Sequence, residues 1–324
     1  MFIVTAEDLP VSKSIEQPAA VEYAELPQTF DYQTNNVNLL ILDHFNCSLS
    51  GKAFNDQPEY VLTLDDRIRT ALNIPVRKAS MVQPWVETPF CGECGSVELT
   101  AEFECEYKAM NEVFLALETP EQFKIILNGI EISNQTNSYF FDNSLKKVML
   151  PENILQYGTN KLVLQVQYNC RFSGLEAVYI GGNFGVRQHG VSGIITALPE
   201  KLIRRSWTEQ GFPFYNGSIT YKCWVKRNSN RQFMLKLPEF AGALCKVKCN
   251  GATVKNCMWE PYEVDLSESA AVGANNLLEL EVTGSPRNMM GPFFYKAEKL
   301  RSCLPFHFKE YGSSQRKLLP MGLL

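Results

Sequence analysis

Ten cysteines, three histidines and 35 acidic side chains are the raw material for chemistry in this 324-residue chain. Cys91 and Cys94, in the run CGEC, have the spacing of two zinc ligands, but no second pair accompanies them. Cys245 and Cys249 sit in a strand-like run at a spacing that puts both on one face. Buried, reduced thiols are therefore expected, and the cysteines are too sparse for a disulfide scaffold. His44, His189 and His307 are scattered, and neither a Gly-x-Ser-x-Gly elbow nor a phosphate loop is present. Glycoside hydrolysis needs two carboxylates about 5–10 Å apart, and no pair in the sequence stands in a setting that demands it. Asp142 and Asp265 each follow an aromatic run and read as equivalent acceptors for turn amides. A structural calcium ion is the one cofactor such loops suggest.

Sugar recognition would use aromatic faces and a few orienting polar groups. Trp207, Trp224, Trp259 and Tyr262 are the candidates for carbohydrate contact. Trp224 falls on the outward set of its strand with Thr220 and Lys222, Trp259 shares a loop with Pro261 and Tyr262, and Trp85 stands apart. Packing is the competing role for each tryptophan. For Trp207, at the head of GFPFY, it is the leading one.

The elements that must position these residues are strands. Hydrophobic residues make up 45% of the chain and charged residues 20%, a balance that supports a packed core. A net charge of −4 with no basic run longer than a dipeptide disfavours nucleic acid. No apolar stretch approaches the roughly 20 residues of a membrane span. Unpaired-looking cysteines and no signal peptide together favour a cytoplasmic location.

An internal repeat organises the strands. Val97, Leu99, Ala101, Phe103 and Cys105 alternate with Glu98, Thr100, Glu102, Glu104 and Glu106, a period-two strand with one buried face. Ile219, Tyr221, Cys223 and Val225 repeat the pattern. Each copy then has an apolar strand and another that ends in Asn-Gly, at Asn128-Gly129 and Asn250-Gly251. Gly158-Thr159-Asn160 and Gly273-Ala274-Asn275 precede the two last strands. Short helical patterns appear at 64–72, 151–158 and 197–205, the last as a joint between modules. The expected fold is all-β, two tandem jelly-roll β-sandwich modules with few short helices. Residues 1–35 read as linker or the edge of a preceding domain, 36–196 as the first module and 197–324 as the second.

Three stretches resemble the sugar-binding, galactose-binding-like β-sandwich modules of family 2 glycoside hydrolases and of family 106 rhamnosidases. They are WTEQGFPFYNGSITY (207–221), the span from Asn250-Gly251 through Trp259, Pro261, Tyr262 and Asp265 to Asn275, and the run from Gly284 to Pro292. NLLILDHFNCSLSG (38–51) and LEAVYIGGNFGV (175–186) add to the likeness. The resemblance implies a noncatalytic accessory region whose partner is a catalytic domain in the same polypeptide, with carbohydrate as a further partner. An independent carbohydrate-binding module and a free-standing sandwich interaction protein are the alternatives.

Overall fold

The computed structural model describes residues 21–77, 92–107, 112–300, 302–313 and 315–324. It is mostly β, with antiparallel sheets and a few short helices. Among the described residues no helix is long and apolar enough to cross a membrane.

Two hydrophobic cores form, the first mostly from 39–195 with Phe214, Met289, Phe293 and Phe294, the second mostly from 202–282 with Phe30, Met321 and Leu323, and they are called the first and second halves below. In the first half the strand Gly95–Cys105 pairs along its whole length with Gly158–Tyr168. Lys124–Leu127 lies on the other side of Gly158–Tyr168, and Ile130–Ile132 adds the edge. Val97, Leu99, Leu162 and Leu164 face inward from this sheet, as their alternation requires. They meet Leu40, Leu115, Leu117 and Ile180 from a four-stranded sheet ordered Leu145–Met149, Phe114–Glu118, Val178–Gly182, Asn38–Leu42. The five residues Asn38–Leu42 are all buried, as a strand apolar on both faces should be.

The second half repeats this plan. Ser218–Lys226 pairs with Asn275–Thr283, which pairs with Leu244–Cys249, which pairs with Ala252–Cys257. Opposite them Gln232–Lys236 pairs with Glu263–Asp265, as Phe114–Glu118 pairs with Leu145–Met149. Both Asn-Gly turns have positive φ at each residue, 51° and 80° in the first copy and 51° and 84° in the second.

A side-chain lock is duplicated with the strands. Asn128 Nδ2 donates to Asn160 Oδ1 and Asn250 Nδ2 to Asn276 Oδ1, each at 2.8 Å. Asn160 Oδ1 also accepts from the Gln156 amide, and its Nδ2 donates to the Gln156 and Gly158 carbonyls. Asn276 does the same with Ala271 and Ala274. Each lock fastens the hairpin to the closing strand from a buried position, where an unsatisfied amide is costly.

Four expectations need correction. The partner of Asn160 is Asn276, not Asn275, so the second landmark is displaced by one residue. Asp142 precedes Leu145–Met149, whereas Asp265 ends Glu263–Asp265, so the two aspartates are not equivalent. Each does accept turn amides, Asp142 from Ser144 and Leu145 and Asp265 from Ser267. Within 21–35, Val21–Tyr23 and Thr29–Thr34 are strands rather than linker. They pair with Gln232–Lys236 and Ser218–Lys226 of the second half. Of the helical patterns, 64–72 forms as Val61–Ala71, but 151–158 is a turn and 197–205 carries the short strand Leu202–Ile203.

The displaced landmark is testable by urea unfolding. Asn276→Ala is expected to cost about 1–3 kcal/mol through orphaned buried partners. Exposed Asn275→Ala should stay within about 0.5 kcal/mol of the parent.

Candidate functional site

Packing has separated the aromatic residues singled out in the sequence. Trp207 is 0% exposed, and its ring meets Tyr215 edge-on at 5.9 Å. That overturns carbohydrate contact at Trp207, because a ligand cannot reach it without opening the core. Trp224 is 64% exposed on the outer sheet face, opposite Leu277. Trp259 is 72% exposed in the loop between Ala252–Cys257 and Glu263–Asp265. Tyr262 packs its ring on Phe240 at 4.9 Å, beside the short pair Phe240–Ala241 and Gly322–Leu323. No ring contact joins Trp224, Trp259 and Tyr262 among the described residues. Trp85 lies outside the described residues.

The cysteines offer no reactive centre among the described residues. Burial pushes the Cys47 and Cys223 thiols up to about 12, and Cys245 higher still, away from thiolate chemistry. Cys170 is disulfide-bonded, which corrects the expectation of a wholly reduced set. Cys91, half of the zinc-spaced pair, lies outside the described residues, and Cys94 is exposed. No group of three or more His, Cys, Asp and Glu that could hold a metal ion occurs among the described residues.

The concave site lies elsewhere, at one end of the four-stranded sheet in the first half. Antiparallel order brings the start of Leu145–Met149, the end of Phe114–Glu118, the start of Val178–Gly182 and the end of Asn38–Leu42 to that end. Each strand end carries an acid: Asp142, Glu118, Glu176 and Asp43. These four line a cavity of about 150 Å³ with Tyr60, Tyr179 and Ser144. Carboxylates that no local sequence setting drew together converge here.

The roof comes from far along the chain. Met290, Phe293 and Phe308 close over the cavity from a late segment, here called the strap. Arg316 of this strap grips Asp43 with both terminal nitrogens and donates to the Val191 carbonyl. Its guanidinium lies 5.1–5.4 Å from the ring centroids of Phe214, Phe293 and Phe294. His44 Nδ1 meets Asp43 at 2.7 Å and its Nε2 meets the Tyr311 hydroxyl at 3.1 Å. Tyr60 donates to the Phe308 carbonyl, and Lys309 reaches Asp66 on the helix Val61–Ala71.

The four acids differ electrostatically. Burial works to raise the Asp43 pKa, but the charge of Arg316 and the hydrogen bonds from His44 and Arg316 together outweigh it, and the carboxyl is held below its usual range. Glu176 is raised, chiefly by burial, although Arg77 pairs with it at 2.8 Å. Hydrogen bonds from Ser144 hold Asp142 low. Glu118 is raised, first by burial and then by the charges of Glu176 and Asp142. Asp43 and Glu176 therefore have cationic partners, Asp142 is tied to its turn, and Glu118 carries no ion pair among the described residues.

Sequence reasoning missed this constellation, although its signal was visible. Each of the four strands has an acid at its end or just beyond, in NLLILD, FLALE, LEAVYI and FDNSL, and three of the four strands are apolar. What the sequence lacked was the strand order that aligns those ends.

No protein-family model matches the chain, and no curated protein matches it in sequence. Among solved structures it is distantly similar to parts of glycoside hydrolases. A rhamnosidase from Novosphingobium sp. PP1Y shares 17% identity at a TM-score of 0.30, over 71% of this chain and 21% of that one. A GH2 beta-galacturonidase from Eisenbergiella tayi shares 10% identity at 0.28, over 78% and 38%. A beta-D-mannosidase from Dictyoglomus thermophilum shares 11% at 0.28, over 83% and 32%. The chain thus spans between about a fifth and two-fifths of the length of these structures. Likeness at such scores carries no argument about function.

Burial sorts the tryptophans by expected effect. Trp207→Ala should lower unfolding free energy by about 3–5 kcal/mol. Trp259→Ala should change it by less than about 0.5 kcal/mol, with thermal unfolding as the readout.

Proposed function

We propose that the chain is a noncatalytic accessory region, two jelly-roll β-sandwiches in tandem, that supports the catalytic domain of a larger glycoside hydrolase. The observation that carries this reading is the state of the acids in the cavity. A glycosidase needs one carboxylic acid and one free carboxylate facing each other across the scissile bond. Here Asp43 is neutralised by Arg316, Glu176 by Arg77, and Asp142 is spent on turn amides, which leaves Glu118 without a free counterpart. The duplicated strands and Asn locks support a structural module, since a framework built twice supplies rigidity rather than a reaction centre. The stretches at 207–221 and 250–275 that resemble family 2 accessory modules fall within the second copy of that framework.

An independent carbohydrate-binding module is the second reading, favoured by the exposure of Trp259 beside exposed Met258. On either reading the chain does no hydrolysis.

The test is a panel of aryl glycosides incubated with the full chain. No turnover above buffer is expected. Turnover abolished by Glu118→Gln would overturn the noncatalytic reading.

A further inference from the structure

We propose that the roofed cavity at the acid-bearing end of the first half binds a small organic ammonium ion, a protonated primary amine no larger than one sugar ring. This goes beyond the accessory reading and does not depend on it.

Size sets the first limit. The cavity holds about 150 Å³, roughly half the lower end of the ~300–1,000 Å³ found for pockets that take drug-sized ligands. One ring or a short chain fits, and an oligosaccharide does not.

Charge sets the sign. With Asp43 and Glu176 paired to arginines, neither Glu118 nor Asp142 forms an ion pair among the described residues, although the charge of Arg77 reaches Glu118, and no residue lining the cavity is basic. The two acids sense each other, since the charge of Asp142 contributes to raising Glu118. Like charges on one small, partly dry space oppose each other, and a monocation between them reverses that cost.

The walls choose the kind of cation. Tyr60, Tyr179 and Phe293 are buried around the acids, and Phe308 adds a fourth ring. Ring faces attract an ammonium group, more so when it is desolvated. A calcium ion wants about six to eight oxygen ligands, whereas nine of the fourteen lining residues are apolar or aromatic and no metal-holding cluster occurs among the described residues. A neutral sugar could use the Ser144 hydroxyl and the acids but would leave the charge uncompensated. Met290 is 46% exposed at the roof, which marks the side from which a ligand enters.

Isothermal titration of the full chain with glucosamine, at a pH where its amine is protonated, tests the proposal against glucose and N-acetylglucosamine. Glucosamine is expected to bind, and both neutral sugars to bind at least about tenfold more weakly, as loss of a charge-assisted hydrogen bond implies. Glu118→Gln, which keeps size and shape, should weaken glucosamine by about tenfold or more with the thermal midpoint unchanged. Three results would overturn the proposal: no heat from glucosamine, equal binding of glucose, or affinity unmoved by Glu118→Gln. Calcium chloride that displaces glucosamine from the parent chain would assign the cavity to a metal and equally overturn it.

Discussion

The buried pair between Asp43 and Arg316 is the constraint around which the first half is completed. Both side chains are 1% exposed. A buried arginine is tolerated only if its charge is met and its donors are satisfied. Asp43 supplies the charge, the Val191 carbonyl takes a further donor, and three phenylalanine rings cover the guanidinium, while Arg316 Nε stays without a hydrogen-bond partner among the described residues. Those rings come from two places. Phe214 leads into the second half, while Phe293 and Phe294 belong to the strap. One ion pair thus fixes three parts of the chain, and the strap it anchors roofs the cavity. From there the chain returns to the second core through Met321 and Leu323. The depressed pKa of Asp43 gives the linkage its sign. The stabilisation is present above the pKa of the unfolded carboxyl and is lost as pH falls through the lower folded value.

The two halves show how one framework yields two different ends. Both use the same strand pairing, the same Asn-Gly turn and the same buried asparagine lock. In the first half the helix Val61–Ala71 and the strap converge on the ends of the four-stranded sheet. Asp65, fully buried, steadies that helix by accepting from Tyr168, from the Leu175 amide and from Arg69 and Arg77. Arg77 in turn pairs with Glu176, so the helix also settles the charge of a cavity acid. The second half spends its extra chain on strands from 21–34 and on the Gly322–Leu323 pair, and the acids at the ends of Glu263–Asp265 line no comparable roofed cavity among the described residues. Duplication explains the scaffold, and divergence at the strand ends explains where a site can exist.

Local patterning made much of the scaffold legible. Alternation at 97–105 and 219–225 dictates which side chains are buried, and Asn-Gly dictates the hairpins, because both depend on neighbours in sequence. The strands at 21–34 were hidden because their partners lie about 180 residues away or more, and Pro27 with its polar neighbours reads as linker. The helical pattern at 197–205 yielded to pairing of Leu202–Ile203 with Thr29–Thr34, a tertiary override of weak propensity. The asparagine register slipped by one because Asn275 and Asn276 are adjacent and only burial distinguishes them. The cavity was written as an acid beside each of four strands, three of them apolar. Its meaning required the order of those strands and a strap whose anchor, Arg316, stands 273 residues from Asp43.

The closing role of the buried pair is tested most directly by hydrogen exchange read by mass spectrometry, comparing the parent chain with Asp43→Asn. Removing that one charge strands Arg316, at a cost of about 3–5 kcal/mol for a broken buried pair. Protection is expected to fall across the strap and at the strand ends that line the cavity, while Asn275–Thr283 in the second half keeps its parent protection. Equal protection of the strap in both proteins would contradict the claim that this pair holds it in place.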